Sequence, residues 1–431
     1  MLRTVIFRIL LLGFAATAQA QFTFTKIADT GTAIPSGSGA FTDLRYPSVR
    51  GTNAVFYGEG TTGQMGIYFW NGISLARVAD RATPVPVGGG NFTNINFNAY
   101  AISTNSVVFI GSSSSGIGLY QGINNTLTRL VDSSMAIPSG SGTFNGFGGP
   151  RFDNNGALAF TGRGPGQQGI YLYNNGTPVK VADKSTTLPG GANYGVTDVA
   201  TLRGGRIAFW NYTAANYNGI YFWDGATFSR VAYTNTLIPG FGIPFEQLNS
   251  PPDFDAGQVL FKCSTFTGGY KAGIYQVNPD GSGLTTLVDS TMTIPGGTDL
   301  FNDFLGFQRA NGVLVFVGYG PPSYQRGVYT LSNNVIARVL GPNDPIGGKV
   351  VSQADMLDTG FVDGMLGILV TFTDSSKGIY LTRVTGNSSG PTSPRFDSIQ
   401  PLSAGQIQIT LTASSLSDLE KRNFFQFPRN H

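Results

Sequence analysis

The chain has 431 residues, of which 12% are charged and 41% hydrophobic, with 12% aromatic, 60 glycines and a formal net charge of +3. That balance excludes a polybasic nucleic-acid or membrane-surface binder and a disordered chain, and it is rich enough in apolar residues to bury a large core. The single cysteine, Cys263, excludes an intrachain disulfide, so the fold must rest on packing and strand pairing.

Residues 1–20 read as a secretory signal peptide. Arg3 and Arg8 flank the short apolar run Ile9 to Phe14, and Ala18-Gln19-Ala20 supplies a small–x–small cleavage site. The apolar run is too short to span a bilayer, so no membrane span is expected after cleavage. Removing Arg3 and Arg8 with no acid lowers the net charge from +3 to +1. A secreted protein, extracellular or periplasmic and monomeric, is expected, with no nucleic-acid partner.

From residue 21 to residue 385 the chain repeats itself. A Gly-Ile-Tyr element recurs with its glycine at Gly66, Gly118, Gly169, Gly219, Gly273, Gly327 and Gly378, at spacings of 52, 51, 50, 54, 54 and 51 residues. Each unit offers four short runs of β-branched and aromatic residues. In the first unit these begin at Phe41, run from Ala54 to Gly58, follow Gly66, and end in Arg77-Val78-Ala79-Asp80. Such runs, bounded by Gly, Asn and Asp, predict strands, and Asn71-Gly72, Asn175-Gly176 and Asp224-Gly225 predict two-residue hairpin turns. Seven units of four antiparallel strands predict an all-β fold, a seven-bladed β-propeller.

The ends of the repeat point to ring closure. Lys26-Ile27-Ala28-Asp29 reads as a fourth strand with no unit before it, while the last unit stops at its third strand around Gly378-Ile379-Tyr380. The spare opening strand is expected to complete the last blade and remove the open edge. Residues 386–394 read as a Gly/Ser/Pro linker. Residues 395–431 are too few for an independent β domain and contain one alternating strand, Gln406 to Thr412, so they read as a partial or truncated C-terminal β segment.

Asp153-Asn154-Asn155-Gly156-Ala157-Leu158-Ala159-Phe160, followed by the Gly-Ile-Tyr and Val-Ala-Asp strands, resembles the repeat of bacterial secreted tandem-repeat proteins described as choice-of-anchor β-propellers. The likeness covers residues 22–385. Asp153 stands where the motif has Asn, and the surface anchor that members usually carry is not recognisable here. The resemblance implies a surface-located propeller and no particular activity.

The only histidine, His431, is the last residue, which excludes Ser–His–Asp and Cys–His catalysis and histidine-ligated metals. Cys263 reads as a small core residue. Aligning the units on the first strand gives one position per blade: Asp43, Asn94, Gly146, Asp198, Gln247, Asp303 and Asp355. Carboxylates and amides on one ring around a channel mouth are suited to hydrogen-bonding sugar hydroxyls, and Asp43, Asp198, Asp303 and Asp355 to holding a hard cation such as Ca²⁺. The alternative is that these residues only cap strand ends. Asp29, Asp80, Asp132, Asp183 and Asp289, each ahead of an Ile-Pro-Gly type loop, are expected to fix that loop. Tyr68, Tyr120, Tyr171, Tyr221, Tyr275, Tyr329 and Tyr380 are expected to pack between blades, and Trp70 and Trp223 to join the core.

The expectation from sequence is therefore a non-enzymatic binding module for a polysaccharide or a cell-surface protein at the channel mouth. The alternatives are a polysaccharide lyase or glycosidase with Asp43 and Asp355 as its carboxylate pair, and a purely structural surface protein.

Overall fold

The computed structural model describes residues 22–385, except 124–125, 154, 175, 196–200, 213–217 and 249, together with the strands Arg395–Ser403 and Gln406–Thr412. The signal-peptide, linker and C-terminal tail assignments fall mainly outside the described residues. The two strands near the C-terminus form an antiparallel hairpin, so the strand read from Gln406 onward has the partner Arg395–Ser403.

The main unit is an all-β seven-bladed propeller, and no helix occurs among the described residues. Blade 3 shows the plan: Gly146–Phe152, Leu158–Gly164, Gln167–Asn174 and Thr177–Asp183 pair antiparallel in chain order. In blade 1 the innermost strand is broken into Phe41–Leu44 and Ser48–Arg50 around Pro47, which has no N–H to give to the ladder. The seventh blade takes its outer strand from the start of the chain. Phe24–Asp29 pairs with Lys377–Arg383, placing Thr25 opposite Leu381 and Lys26 opposite Tyr380. The ring is closed, and the edge that would otherwise be open is covered.

The core lies between blades. One cluster joins Phe56 and Tyr68 of blade 1 to Ala28, Ile379 and Leu381 of blade 7, and another joins Val55 and Ile67 to Phe109 and Tyr120 of blade 2. The tyrosines of the repeat do pack between blades. Six of the seven lie over a second-strand phenylalanine of their own blade, at 5.9 Å for Phe56–Tyr68 and 5.7 Å for Phe160–Tyr171, while Tyr380 stands opposite Ile368 and meets Phe372 edge-on at 6.3 Å. A loop phenylalanine meets the tyrosine edge-on, as in Phe92–Tyr120 at 4.8 Å and 89°. The Tyr68 hydroxyl is buried without a partner, so its ring is retained for packing.

Two repeated glycines follow from this packing. A Cβ on Gly58 would stand 2.6 Å from the Phe41 ring, and one on Gly66 would stand 2.5 Å from the Ala79 carbonyl across a β-bulge. The first makes room for the edge-on phenylalanine and the second for the bulge that turns the outer strand. Cys263 is 1% exposed within Gln258–Thr265, and burial raises its thiol well above the usual range, which makes it an inert core residue. Trp70 and Trp223 are half-buried against the core clusters.

The aspartates at the end of the outer strands fix the loops that follow. Asp80 Oδ1 accepts from the Ala82 N–H at 3.0 Å and the Thr83 hydroxyl at 2.8 Å, while Oδ2 pairs with Arg77 at 2.8 Å. Asp183 and Asp289 repeat the pattern through Ser185 and Thr291. One oxygen of each of these carboxylates is thus engaged by the loop that follows it.

Candidate functional site

The innermost strands place two different sets of polar residues, one at a mouth of the channel and one inside it. At the mouth, a cleft of about 440 Å³ opens between blades 5, 6, 7 and 1. Its polar lining is Tyr46, Lys262, Arg326, Asp355 and Asp358, and its apolar lining includes Phe304, Leu305 and Met356.

The aligned ring residues behave at this mouth as ties between blades. Asp303 pairs with Lys262 of the preceding blade at 2.9 Å, accepts the Phe304 N–H at 2.7 Å and takes the Tyr319 hydroxyl at 3.3 Å. Asp355 pairs with Arg326 of the preceding blade, accepts the Met356 N–H at 3.0 Å and meets the Tyr46 hydroxyl at 3.4 Å. Asp43 pairs with Lys377 of blade 7 at 2.5 Å and with Arg45 at 2.9 Å, and accepts the Leu44 N–H at 2.9 Å. Each carboxylate thus caps its own strand and binds a cation from the blade before it.

Of the aligned set, only Asp355 lines the cleft directly, with Asp303 behind Lys262 and Asp43 one blade further on. Asn94 and Gln247 are exposed on their own blades, where Gln247 Oε1 accepts from the Ser264 hydroxyl at 3.1 Å. Gly146 offers no side chain, and Asp198 lies outside the described residues. Among the described residues no three His, Cys, Asp or Glu side chains converge where they could hold a metal ion. The physical reason is plain at Asp43, Asp303 and Asp355, where an ammonium or guanidinium already occupies the place that Ca²⁺ would need. The same pairing disarms Asp43 and Asp355 as an acid–base couple, because neither carboxylate faces the cleft without a bound cation.

Electrostatics at the cleft follow from burial. Asp355 is raised above the usual carboxylate range by burial, against the lowering effect of Arg326. Burial works against the charged Arg326, yet Asp355 and Tyr46 hold it above its ordinary value. Burial and Asp303 raise the phenols of Tyr270 and Tyr319, so both stay protonated and their hydroxyls are engaged by Asp303.

Reading the sequence for charge alone missed an aromatic rim. From Asp303 the rings radiate outward. Tyr319 lies 6.4 Å from Tyr324, which is 54% exposed, and Tyr270 lies 5.4 Å from Phe266, which is 57% exposed. On blade 2, Phe97 is 47% exposed and carries the Arg45 guanidinium over its face at 5.4 Å. Through Tyr270 and Tyr319, which meet Asp303, these exposed rings of blades 5 and 6 border the Asp303–Lys262 pair, whereas Phe97 is on blade 2, which does not line the cleft.

Inside the channel, five to eight residues beyond the aligned ring, a second polar set lines the passage. Arg203 reaches Asp255 at 3.1 Å, Asp253 at 3.5 Å and the Arg309 carbonyl at 3.2 Å. Arg309 donates to Gln276 at 2.7 Å and to the Asp255 carbonyl at 2.6 Å, and its N–H goes to Asp253 at 2.8 Å. A cavity of about 50 Å³ lies there, lined by all seven blades. Asp358 lines both this cavity and the mouth cleft. Burial pushes its carboxyl up to about 6, with Arg151 at 3.9 Å lowering it and Asp253 raising it.

No protein-family model matches the chain, and no curated protein does. Among solved structures the chain is similar to the β-propeller domain of the Trilobed protease from Pyrococcus furiosus, at 11% identity and a TM-score of 0.52, over 79% of this chain and 95% of that one. It is also similar to an acylaminoacyl peptidase solved in complex with Z-Gly-Gly-Phe-chloromethyl ketone, at 9% identity and a TM-score of 0.50. That match spans 80% of this chain and about half, 52%, of the peptidase. At these identities the likeness is one of fold. The archaeal domain has an open velcro topology, whereas here the strand Phe24–Asp29 closes the ring.

Proposed function

We propose that the protein is an exported, non-enzymatic binding module that holds carbohydrate on its channel-mouth face. The observation that carries this reading is the aromatic rim beside a polar-floored cleft of about 440 Å³. A pyranose has an apolar C–H face and a hydroxyl edge. Rings such as Phe266, Tyr270 and Tyr324 suit the first, and Tyr46, Lys262, Arg326 and Asp355 suit the second. The ion pairs of Asp43, Asp303 and Asp355 tie blades 5, 6, 7 and 1 together at that face, which favours binding by limiting what must be ordered. Export rests on residues 1–20 and a surface location on the choice-of-anchor-like repeat, both read from the sequence.

Catalysis by a carboxylate pair is less well supported, since Asp43 and Asp355 are both tied to cations. The peptidase fold neighbours do not alter this, because the only histidine is His431. The test is glycan-array retention of the purified full chain, followed by incubation with each retained polysaccharide. Retention without shortening of the polymer is expected. Release of oligosaccharides, or no retention on any glycan, would overturn the reading.

A further inference from the structure

The least satisfied charge at the mouth cleft is Asp358. It lies on the loop between the strands Lys349–Asp355 and Phe361–Val362 of blade 7, where it lines the cleft of about 440 Å³. Backbone contacts pin that loop on both sides. The Leu357 carbonyl accepts the Gly360 N–H at 2.8 Å, and the Thr359 carbonyl accepts the Val49 N–H of blade 1 at 2.9 Å. The carboxylate itself is held by little. Its side chain is 22% exposed and accepts no hydrogen bond among the described residues. The nearest cation is Arg151 at 3.9 Å, beyond hydrogen-bond reach, and Arg151 donates to the Pro150 carbonyl at 3.0 Å.

The other charges lining the cleft are matched at close range. Lys262 stands 2.9 Å from Asp303, and Arg326 is paired with Asp355. Of the four charged side chains on the cleft wall, Asp358 alone lacks an oppositely charged partner in hydrogen-bond contact among the described residues. Burial and Asp253 already hold its carboxyl up at about 6, so a positive charge placed beside it is favourable. A carboxylate with open lone pairs accepts charge-assisted hydrogen bonds from an ammonium, and the apolar wall of Phe304 and Leu305 suits a carbon skeleton. We propose that the cleft prefers amino sugars, with Asp358 accepting from the protonated amine of a glucosamine-type residue. This rests on the carbohydrate reading and names the class of sugar. The preference is local to the cleft, because a chain of net charge +3 does not attract polycations in general.

The experiment measures, by calorimetry at one slightly acidic pH, binding of the full chain to a glucosamine oligomer and to its N-acetylated counterpart of equal length. Oligolysine of the same charge supplies ammonium groups without sugar rings. The amino oligomer is expected to bind roughly tenfold or more tightly than the N-acetylated one, the weight of one charge-assisted hydrogen bond. In Asp358→Asn the two oligomers are expected to bind alike. Equal binding by the unaltered chain, an amine preference that survives Asp358→Asn, or oligolysine bound as tightly as the amino oligomer would overturn the proposal. Neutral glycans show where a failure lies: if they are still retained, the carbohydrate reading stands without the amine preference, and if no glycan is retained, both fall. Should Asp358→Asn fail to fold, crystals of the unaltered chain soaked with the glucosamine oligomer decide the matter. An amine nitrogen in hydrogen-bond contact with Asp358 supports the site, and an amine placed elsewhere overturns it.

Discussion

Replacing Asp303 with alanine separates a tie between blades from a ligand-holding carboxylate. The Asp303 and Lys262 side chains are only 11% and 14% exposed and stand 2.9 Å apart. Asp303→Ala leaves the Lys262 ammonium beside an apolar gap, removes the acceptor of the Phe304 N–H, and strips the Tyr319 hydroxyl of its partner. Breaking a buried pair from one side costs about 3–5 kcal/mol. The residual exposure argues for the lower end, about 3 kcal/mol, which for some 360 ordered residues corresponds to roughly 4 °C in midpoint. Asp374→Ala is the control. Its partner Lys349 is 2.8 Å away, but the two side chains are 55% and 41% exposed, so a much smaller loss than that of Asp303→Ala is expected. Joining Asp303→Leu to Lys262→Met should recover much of the loss, since an apolar pair of similar volume needs no counter-charge. Urea denaturation of the variants reads these differences. If Asp303→Ala costs no more than Asp374→Ala, the carboxylate is not a structural tie and the reasoning fails.

Three further outcomes follow from the packing and the channel. Phe160→Ala removes a fully buried ring stacked on Tyr171 and should cost about 3–5 kcal/mol in urea denaturation; a loss below about 1 kcal/mol would contradict the core described here. Starting the chain at Thr30 removes the strand that covers Lys377–Arg383, so size-exclusion chromatography should show self-association and the midpoint should fall; a monomer of unchanged midpoint would refute ring closure. Asp358 keeps its proton up to about pH 6 in the folded protein, whereas an unfolded aspartate releases it near roughly pH 4. Between those values the folded state binds more protons, so stability falls as pH rises, by on the order of 2 kcal/mol, and is flat above. In Asp358→Asn that part of the slope should disappear from denaturation curves measured across the window; an unchanged slope would place the titration elsewhere.

The ring was legible because its packing rule repeats. Gly66 recurs in register with Tyr68 in all seven blades because the bulge does, and Gly58 recurs in blades 1, 2, 3 and 6, where an edge-on phenylalanine needs the space. Closure was legible for the same reason, as a fourth strand at Phe24–Asp29 has no other blade to join. The aligned aspartates were found by position, but their partners were not. Lys377 and Arg326 lie 334 and 29 residues from Asp43 and Asp355, and only the fold brings them together. The channel set escaped notice because Arg50, Ile102, Phe152, Arg203, Asp255 and Ala310 occupy equivalent hairpin positions with no shared chemistry. The aromatic rim sits mainly on loops that differ from blade to blade, where alignment of repeats carries no signal.

The mouth face itself is tested most directly by comparing glycan retention by the unaltered chain, by Phe266→Ala joined to Tyr324→Ala, and by Ile73→Ala joined to Val179→Ala. Ile73 and Val179 are also exposed, at 86% and 54%, but line neither the cleft nor its rim. At about 1–3 kcal/mol for two exposed aromatic contacts, the rim variant should lose roughly tenfold or more in affinity while the second variant binds as the unaltered chain does. Equal retention by all three proteins, or a loss confined to the Ile73 and Val179 variant, would place the ligand elsewhere on the propeller.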